Sequence, residues 1–207
     1  MSELHDLVNN NLIQGKIFFD KSLENLTWLK VGGKASCLYI PKNKEDLAVF
    51  LKHIDSNVRI SVFGRLSNVL IRDGGISGVT ILIPPSFSEI EIHKNNKITL
   101  GSGLLDKNVS QYAYDNNLGG FEFLSGIPGN IGGAIAMNAG CYGSEIKDIA
   151  DEVLILERDG ELKSYNNEEM NFSYRNSVVE TDQIIIEATF QGRHENKSSI
   201  KEKIDAV

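Results

Sequence analysis

One stretch, residues 125–143, has the residue types that would hold a phosphate-bearing ligand without a charged side chain. It contains six glycines and no Asp, Glu, Lys or Arg. Glycine lets a ligand approach the main chain closely, and Pro128 makes the turn rigid. Asn130 is predicted to cap a short helix, whose free N–H groups and dipole suit a phosphate or pyrophosphate. The same glycines also fit a buried, tightly turned connection in which they are needed for packing. Their spacing matches neither G-x-G-x-x-G nor a Walker A loop, so a classical nucleotide fold is not indicated.

The elements before this stretch predict a βαβ-like first lobe over residues 20–83. Its predicted strands are Cys37–Ile40, Ile60–Phe63 and Val79–Ile83, and Asn43 caps a helix from Lys44 to about Ile54. The turn at 64–68 follows the second of these strands, and ligand sites in α/β sheets favour such strand ends. An amphipathic helix is predicted over residues 2–14, within an N-terminal segment 1–19.

A second lobe, residues 84–192, is predicted to be rich in hairpins. One hairpin spans 90–100, and another spans 153–165 around Asp159-Gly160, with a helix predicted over 106–116 between them. A buried strand is predicted at Ile184–Ile186. Residues 193–207 are expected to be the start of a C-terminal helix or a linker to a substrate domain. The fold class is therefore α+β with two lobes, and no Pro-, Gly- or Ser-rich linker separates them. We expect the lobes to pack together with a ligand cleft between them.

Composition excludes several classes of function. The 207 residues are 41% hydrophobic and 24% charged, as expected of a globular protein, and the net charge of −7 argues against non-specific nucleic-acid binding. Cys37 and Cys141 form no CxxC pair and the four histidines are scattered, so neither a disulfide framework nor a metal site is predicted. We expect no signal peptide, no membrane span and a cytoplasmic location.

Five motifs, taken in order, make the chain recognisable. They occupy residues 64–68, 72–75, 119–129, 137–143 and 172–177. Together they resemble the UDP-N-acetylenolpyruvoylglucosamine reductases (UDP-N-acetylmuramate dehydrogenases), bacterial peptidoglycan enzymes that share the FAD-binding fold of the vanillyl-alcohol oxidases. The resemblance covers nearly the whole chain, which makes it far more specific than any single glycine pattern.

The resemblance implies FAD held between the lobes, with NADPH as co-substrate. The cofactor-binding residues that it implies are Gly64, Arg65, Leu66, Ser67 and Asn68 in a first turn, Ile127, Pro128, Gly129, Gly132, Gly133 and Gly140 in a second, and Ile185 near the isoalloxazine ring. NADPH would reduce the flavin, which would then pass hydride to the enolpyruvyl double bond of a UDP-sugar substrate. The resemblance also implies a monomer.

Arg175 matches the catalytic arginine of that family, and Tyr174 and Asn138 are the implied substrate-binding residues. Hydride addition builds negative charge on the substrate carboxylate, and a guanidinium is a permanently charged donor with a fork that matches this group. From spacing alone, Tyr174-Arg175 also fits a surface arginine beside a core tyrosine. The resemblance favours the catalytic interpretation.

The sequence departs from the family pattern in two places. Leu66 stands where the family has glycine, and a branched side chain there is expected to narrow the space near the pyrophosphate and to disfavour positive φ. The family's proton-donor serine, in a G-S-x-F motif, and a later glutamate belong to a third, substrate-binding domain, and nothing in this sequence matches them. Since general acid catalysis is worth about 10²–10⁴-fold, we expect this chain to bind FAD better than it turns over substrate.

Two other functions stay open from the sequence. One is an FAD-dependent oxidase of an alcohol or sugar with the same fold, although the Tyr174-Arg175 motif argues against it. The other is a non-catalytic module that holds FAD or a nucleotide sugar, which the unmatched serine and glutamate favour.

Overall fold

The structure is a computed structural model that describes Leu7 and residues 12–207, and these residues divide into two compact units. Unit 1 contains the described residues up to Phe87, together with Leu156–Lys163 and Glu180–Ile184. Unit 2 contains Ser88–Ile155, Ser164–Val179 and Ile185–Val207. The α+β class is confirmed. The lobes predicted over 20–83 and 84–192 were continuous, whereas the structure assigns two later segments of the chain to unit 1.

The N-terminal helix predicted over residues 2–14 lies largely outside the described residues. Residues 12–14 are not helical, and strand β1 (Lys16–Ser22) begins inside the predicted segment 1–19. β1 pairs antiparallel with the next strand, so that Lys16 faces Ile40. Most side chains of β1 are exposed, which is why hydrophobic periodicity did not predict it.

Unit 1 contains a four-stranded sheet whose order is β1-β2-β4-β3. The strands after β1 are β2 (Lys34–Ile40), β3 (Ile60–Phe63) and β4 (Ile76–Leu82), and both β2 and β3 run parallel to β4. Helix α1 (Lys44–His53) lies between β2 and β3 in the chain, as the βαβ prediction requires. Its N-cap is Asn43, whose side chain accepts a hydrogen bond of 2.9 Å from the N–H of Asp46.

A five-stranded sheet, most of whose residues belong to unit 2, has the order β11-β10-β12-β6-β5. Its strands are β5 (Ile90–Ile92), β6 (Lys97–Gly101), β10 (Ala150–Leu156), β11 (Leu162–Asn166) and β12 (Ile184–Gln191). The helices are α2 (Asp106–Asp115), α3 (Ile131–Ala136) and α4 (Lys197–Asp205). Two-residue strands form two further pairs: β7 (Leu118–Gly119) with β13 (Arg193–His194), and β8 (Gly140–Cys141) with β9 (Ser144–Glu145). Short 3₁₀ turns lie at Pro85–Phe87, Lys94–Asn96, Glu122–Gly126 and Ile146–Asp148.

Leu66, in the core of unit 1, combines an unfavourable backbone conformation with a buried side chain. Its φ is 52°, in the left-handed region that glycine normally occupies. The side chain is only 4% exposed and belongs to one core cluster with Leu23, Ala35, Leu38 and Ile71. The expectation that this side chain narrows a ligand site is therefore corrected, since it fills the core instead. Replacing Leu66 by glycine would relieve the backbone strain, but the loss of core packing would offset that gain.

We predict an unusual ranking of substitutions at Leu66. Leu66→Ala lowers the free energy of unfolding by about 2–5 kcal/mol, because it empties part of the core. Leu66→Gly costs no more than Leu66→Ala, since glycine removes about 1 kcal/mol of left-handed strain. Leu38, 1% exposed in strand β2 of the same cluster, is the matched control, and there glycine is more destabilising than alanine. Urea denaturation of the four variants measures this, and the same ranking at both positions would contradict it.

Asp106, the first residue of α2, is buried in unit 2. It is 0% exposed, and neither carboxyl oxygen has a hydrogen-bond partner among the described residues. Val109 and Ala113 follow it on the buried face of the same helix, so its position is set by the helical repeat. Burial raises the pKa of the Asp106 carboxyl from 3.8 to about 8, because a charged carboxylate is poorly solvated there. The folded protein therefore holds this carboxyl protonated at neutral pH.

We predict that Asp106 makes unit 2 less stable as the pH rises. The pKa is higher in the folded state, so between about pH 4 and pH 8 the unfolded chain binds fewer protons and the free energy of unfolding falls. Asp106→Asn removes the ionisation, and its stability relative to the parent protein should grow by about 1 kcal/mol per pH unit over that range. Denaturation curves at pH 5, 6, 7 and 8 measure the difference. Parallel curves for the two proteins would refute the assignment.

Candidate functional site

The first predicted ligand turn, residues 64–68, follows strand β3 in unit 1. Arg65 and Asn68 are exposed there, whereas Gly64 and Ser67 are half-buried. The N–H of Trp28 donates a hydrogen bond of 3.2 Å to the carbonyl of Leu66 and so ties the turn to an earlier segment. The turn presents a guanidinium, a hydroxyl and an amide at the carboxyl end of a parallel strand. These groups suit the phosphate and hydroxyl groups of a nucleotide cofactor.

The second predicted ligand turn, in unit 2, is paired with the segment that precedes helix α2. The N–H groups of Ile131 and Gly132 donate to the carbonyls of Leu104 and Ser102 at 2.9 and 3.0 Å. They are therefore not free, which corrects the prediction of open N–H groups at a helix start. Asn130 precedes α3, but its side-chain amide donates to the Gly103 carbonyl and does not cap the helix. The helix α3 is short, as predicted, and its six residues give it only a small dipole.

Tight packing explains three glycines that the resemblance assigned to the cofactor. A Cβ at Gly132 would lie 2.9 Å from the Cβ of Ser102, and one at Gly129 would lie 2.8 Å from Oδ2 of Asp106. A Cβ at Gly140 would lie 2.8 Å from the carbonyl oxygen of Ser144. These glycines let the chain pass close to its neighbours, as the packing interpretation of the sequence anticipated.

Gly133 differs from these three, because a Cβ there would meet nothing within 4 Å. The residue is exposed, and among the described residues no acceptor binds its N–H. Gly133 is thus the position of this turn where a ligand is able to reach the main chain. Of the other predicted cofactor residues, Ile127 is half-buried, Pro128 is exposed and Ile185 is only 6% exposed in the unit 2 core.

Several buried polar atoms surround the second turn without a hydrogen-bond partner among the described residues. They are both carboxyl oxygens of Asp106, Oγ of Ser102, Oγ of Ser125 and Oδ1 of Asn130. Buried polar groups are normally paired, so this set is the kind of surrounding that a polar ligand or ordered water completes. The sequence analysis overlooked Asp106, although its i, i+3, i+7 spacing with Val109 and Ala113 places it on the buried helix face. Together with the open position at Gly133, these atoms of unit 2 fit the polar part of a dinucleotide cofactor such as FAD.

Arg175 lies at the tip of a tight turn in unit 2. Ser173 and Asn176 exchange two backbone hydrogen bonds of 3.0 and 3.2 Å across this turn. Arg175 has a φ of 55°, in a position where turns normally carry glycine or asparagine, and its side chain is exposed. Tyr174 is 89% exposed. An exposed arginine held in an unfavourable backbone conformation is a reason to expect a functional role.

Asn138, predicted to contact substrate, is instead bonded to protein atoms. It is 2% exposed, and its amide nitrogen donates to Oε2 of Glu145 and to the carbonyl of Ser173. Its side-chain oxygen accepts from the N–H of Lys147 at 2.9 Å. The structure therefore brings Asn138 to the Arg175 turn but leaves its amide no hydrogen for a ligand.

The part of the chain that the structure describes also bears on membrane and metal binding. No helix there combines the length and the apolar character needed to cross a membrane. No group of three or more His, Cys, Asp or Glu side chains there is arranged to hold a metal ion.

Comparison with known proteins identifies the family. The family described as "FAD binding domain" matches residues 35–166, well over half of the chain. The UDP-N-acetylenolpyruvoylglucosamine reductase of Orientia tsutsugamushi (strain Ikeda) is 42% identical over 198 residues, which cover 94% of this chain and 65% of that protein. The enzyme of the same name from Rickettsia canadensis (strain McKiel) is 43% identical over 180 residues, 87% of this chain and 61% of that protein. The chain thus spans less than two thirds of the length of these relatives.

Solved structures agree with these sequences. The UDP-N-acetylenolpyruvylglucosamine reductase (MurB) of Thermus caldophilus has a TM-score of 0.80 and 27% identity, and the match covers 94% of this chain and 68% of that one. Physcomitrella patens BBE-like 1 has a TM-score of 0.66 at 14% identity, over 93% of this chain and 44% of that one, and shares the fold alone. The resemblance to the UDP-N-acetylenolpyruvoylglucosamine reductases is thereby confirmed, and the chain belongs to the FAD-binding domain family.

Proposed function

We propose that this protein holds FAD for the NADPH-driven reduction of UDP-N-acetylglucosamine enolpyruvate to UDP-N-acetylmuramate. The observation that carries the proposal is the 42% identity to a reductase of that name along 94% of the chain. The Tyr174-Arg175 motif of this sequence supports it. The polar turn at 64–68 and the open main chain at Gly133 support a role in cofactor binding. Likeness to oxidases of this fold rests on fold alone, so the oxidase alternative has no separate support.

The role proposed for each residue, and for the cofactor, follows from its chemistry. When bound, FAD accepts a hydride from NADPH and supplies it to the enolpyruvyl double bond. Arg65, Ser67 and Asn68 offer donors to the cofactor, and Gly133 offers an uncovered N–H. Asp106, protonated at neutral pH, lies beneath the second turn without adding a negative charge next to a diphosphate.

Arg175 is proposed to stabilise the charge that builds up on the substrate. As a hydride adds to the terminal carbon of the enolpyruvyl group, the double-bond electrons move toward the carboxylate, which becomes an enolate. A guanidinium beside that group binds it more strongly as its charge grows, and this preference lowers the barrier. Protonation of the neighbouring carbon then completes the reduction, by a donor that we assign to no residue of this chain.

We also propose a cytoplasmic location, the absence of a nucleic-acid partner and a monomeric state. A cytoplasmic location agrees with the two unpaired cysteines, and the net charge of −7 agrees with the absence of a nucleic-acid partner. A monomeric state follows from the family resemblance.

We predict that the purified chain takes up FAD and that Gly133 controls this uptake. The loaded protein shows flavin absorbance bands, which NADPH bleaches under anaerobic conditions. Gly133→Ala preserves or slightly raises the melting temperature, since alanine favours helix by about 1 kcal/mol, but weakens FAD binding because its methyl group occupies the approach to the main chain. Gly74→Ala adds a methyl group to similarly open space in unit 1 and is the control.

Flavin fluorescence titration measures both variants. Protein that stays colourless with added FAD would reject the proposed function. FAD uptake followed by no bleaching with NADPH would favour the non-catalytic binding module.

We predict that Arg175 acts on the reoxidation of the flavin by substrate. Arg175→Lys keeps the positive charge but loses the two-pronged geometry, and Arg175→Ala loses both, raising the barrier by about 3–4 kcal/mol. FAD affinity and reduction by NADPH stay unchanged. Arg193→Ala, which removes an exposed arginine of unit 2, is the control. Stopped-flow absorbance with the enolpyruvyl substrate measures the step, and equal rates in all proteins would exclude Arg175.

A further inference from the structure

The turn that carries Arg175 has little secondary structure of its own to hold it. Ser173 and Asn176 form an isolated bridge, so no continuing ladder of strand pairs supports the tip. Arg175 and Tyr174 are both exposed, and neither side chain anchors the turn in the core. A two-residue turn with a left-handed, non-glycine residue at its tip opens unless other contacts hold its base.

Contacts from the last residue of helix α3 and from the segment that follows it hold the base of this turn. The amide nitrogen of Asn138 donates to the carbonyl of Ser173 at 3.1 Å. The hydroxyl of Ser177 donates to the carbonyl of Ala136 at 2.9 Å. Ser173 and Ser177 thus lie on either side of the tip, and both bond to residues 136–138.

Asn138 is suited to this position in two ways. Its φ is 39°, in the left-handed region that asparagine tolerates well. Glutamine, the other residue whose side chain carries two amide hydrogens, tolerates this region less well. The second amide hydrogen of Asn138 goes to Oε2 of Glu145 at 2.7 Å, and its oxygen accepts from the N–H of Lys147 at 2.9 Å. Glu145 pairs in turn with Nζ of Lys147 at 2.5 Å. Two contacts therefore orient the amide in addition to its bond to Ser173.

We infer that Asn138 is a positioning residue for Arg175, because its buried amide fastens the Ser173–Asn176 turn to the segment that follows α3. The substrate-binding role that the sequence suggested for Asn138 is replaced by an indirect one. The importance of this position for catalysis rests on the proposed function of Arg175, whereas the fastening of the turn does not.

The first test needs neither cofactor nor substrate. Trypsin cleaves after exposed arginine once the chain around it opens, so the rate of cleavage between Arg175 and Asn176 reports on the turn. Asn138→Asp keeps the size of the side chain but removes both donors and places a carboxylate against Glu145. Asn138→Gly removes the amide while accepting positive φ, and it keeps the test valid if the aspartate variant fails to fold.

Asn167→Asp is the matched control. Its amide nitrogen also donates twice in unit 2, to the carbonyls of Lys147 and Ala150 at 2.8 and 2.7 Å, but does not contact the turn. We expect cleavage after Arg175, identified by mass spectrometry on the folded proteins, to rise about tenfold or more in the Asn138 variants, because the turn has lost a hydrogen bond. The control should cleave at the parental rate. Equal rates in the parent, Asn138 and Asn167 variants would overturn the inference.

The second test separates positioning from direct contact with substrate. On the FAD-loaded chain, binding of the enolpyruvyl substrate is followed by the change in flavin absorbance for Asn138→Gly, Arg175→Ala and the double variant. A positioning residue weakens binding when Arg175 is present and adds no further loss when it is absent. Additive losses would show that Asn138 contacts substrate itself and would overturn the inference. If the parent chain takes up no FAD, the proposed function fails, and the proteolysis result alone decides the role of Asn138.

Discussion

Unit 2 depends on one close approach of main chain to main chain, between residues 102–106 and residues 127–132. Two N–H groups of the glycine turn donate to carbonyls of the earlier segment, and the N–H of Asp106 returns a bond of 3.2 Å to the carbonyl of Gly129. Such an approach leaves no room for a Cβ at Gly129 or Gly132. The primary role of these glycines is therefore structural, because they allow the close packing that places the starts of helices α2 and α3 next to each other.

This arrangement also explains why the Asp106 carboxyl lies buried without an ion pair to any of the described residues. The bond between the backbone of Asp106 and the Gly129 carbonyl places residue 106 at the start of α2, and the repeat of that helix turns its side chain inward. The cost of burying a charge is avoided by retaining the proton. The side chain therefore acts as a neutral polar group beneath the turn.

Leu66, Asn138 and Arg175, all in the proposed functional turns, have positive φ without being glycine. Each conformation is offset by a specific contact: core packing for Leu66, a saturated amide for Asn138, and the bonds between Ser173 and Asn176 for Arg175. Strain of this kind persists only where several contacts with the surrounding structure hold the same conformation. It gives each turn one shape, which is what a site that orients a cofactor and a substrate requires.

Much of the fold and of the family was accessible from the residues alone, whereas the roles of individual site residues were not. Alternating and helical hydrophobic patterns predicted α1, α2, β3 and the hairpin around Asp159-Gly160 because each is a local, repetitive property of the chain. Five ordered motifs predicted the FAD-binding family. Strand β1 escaped prediction because its pairing with β2, rather than its own pattern, makes it a strand.

The tertiary structure decided which polar and apolar groups are available to a ligand. Leu66 lies in the core, and both amide hydrogens of Asn138 are donated to protein oxygens. The N–H groups of Ile131 and Gly132 donate to backbone carbonyls. These outcomes depend on residues that are distant in the chain, such as Ser173, which lies 35 positions from Asn138. Local sequence determines which secondary structure a segment is able to form. Whether a polar group is free to bind a ligand depends on which distant residues the fold brings into contact with it.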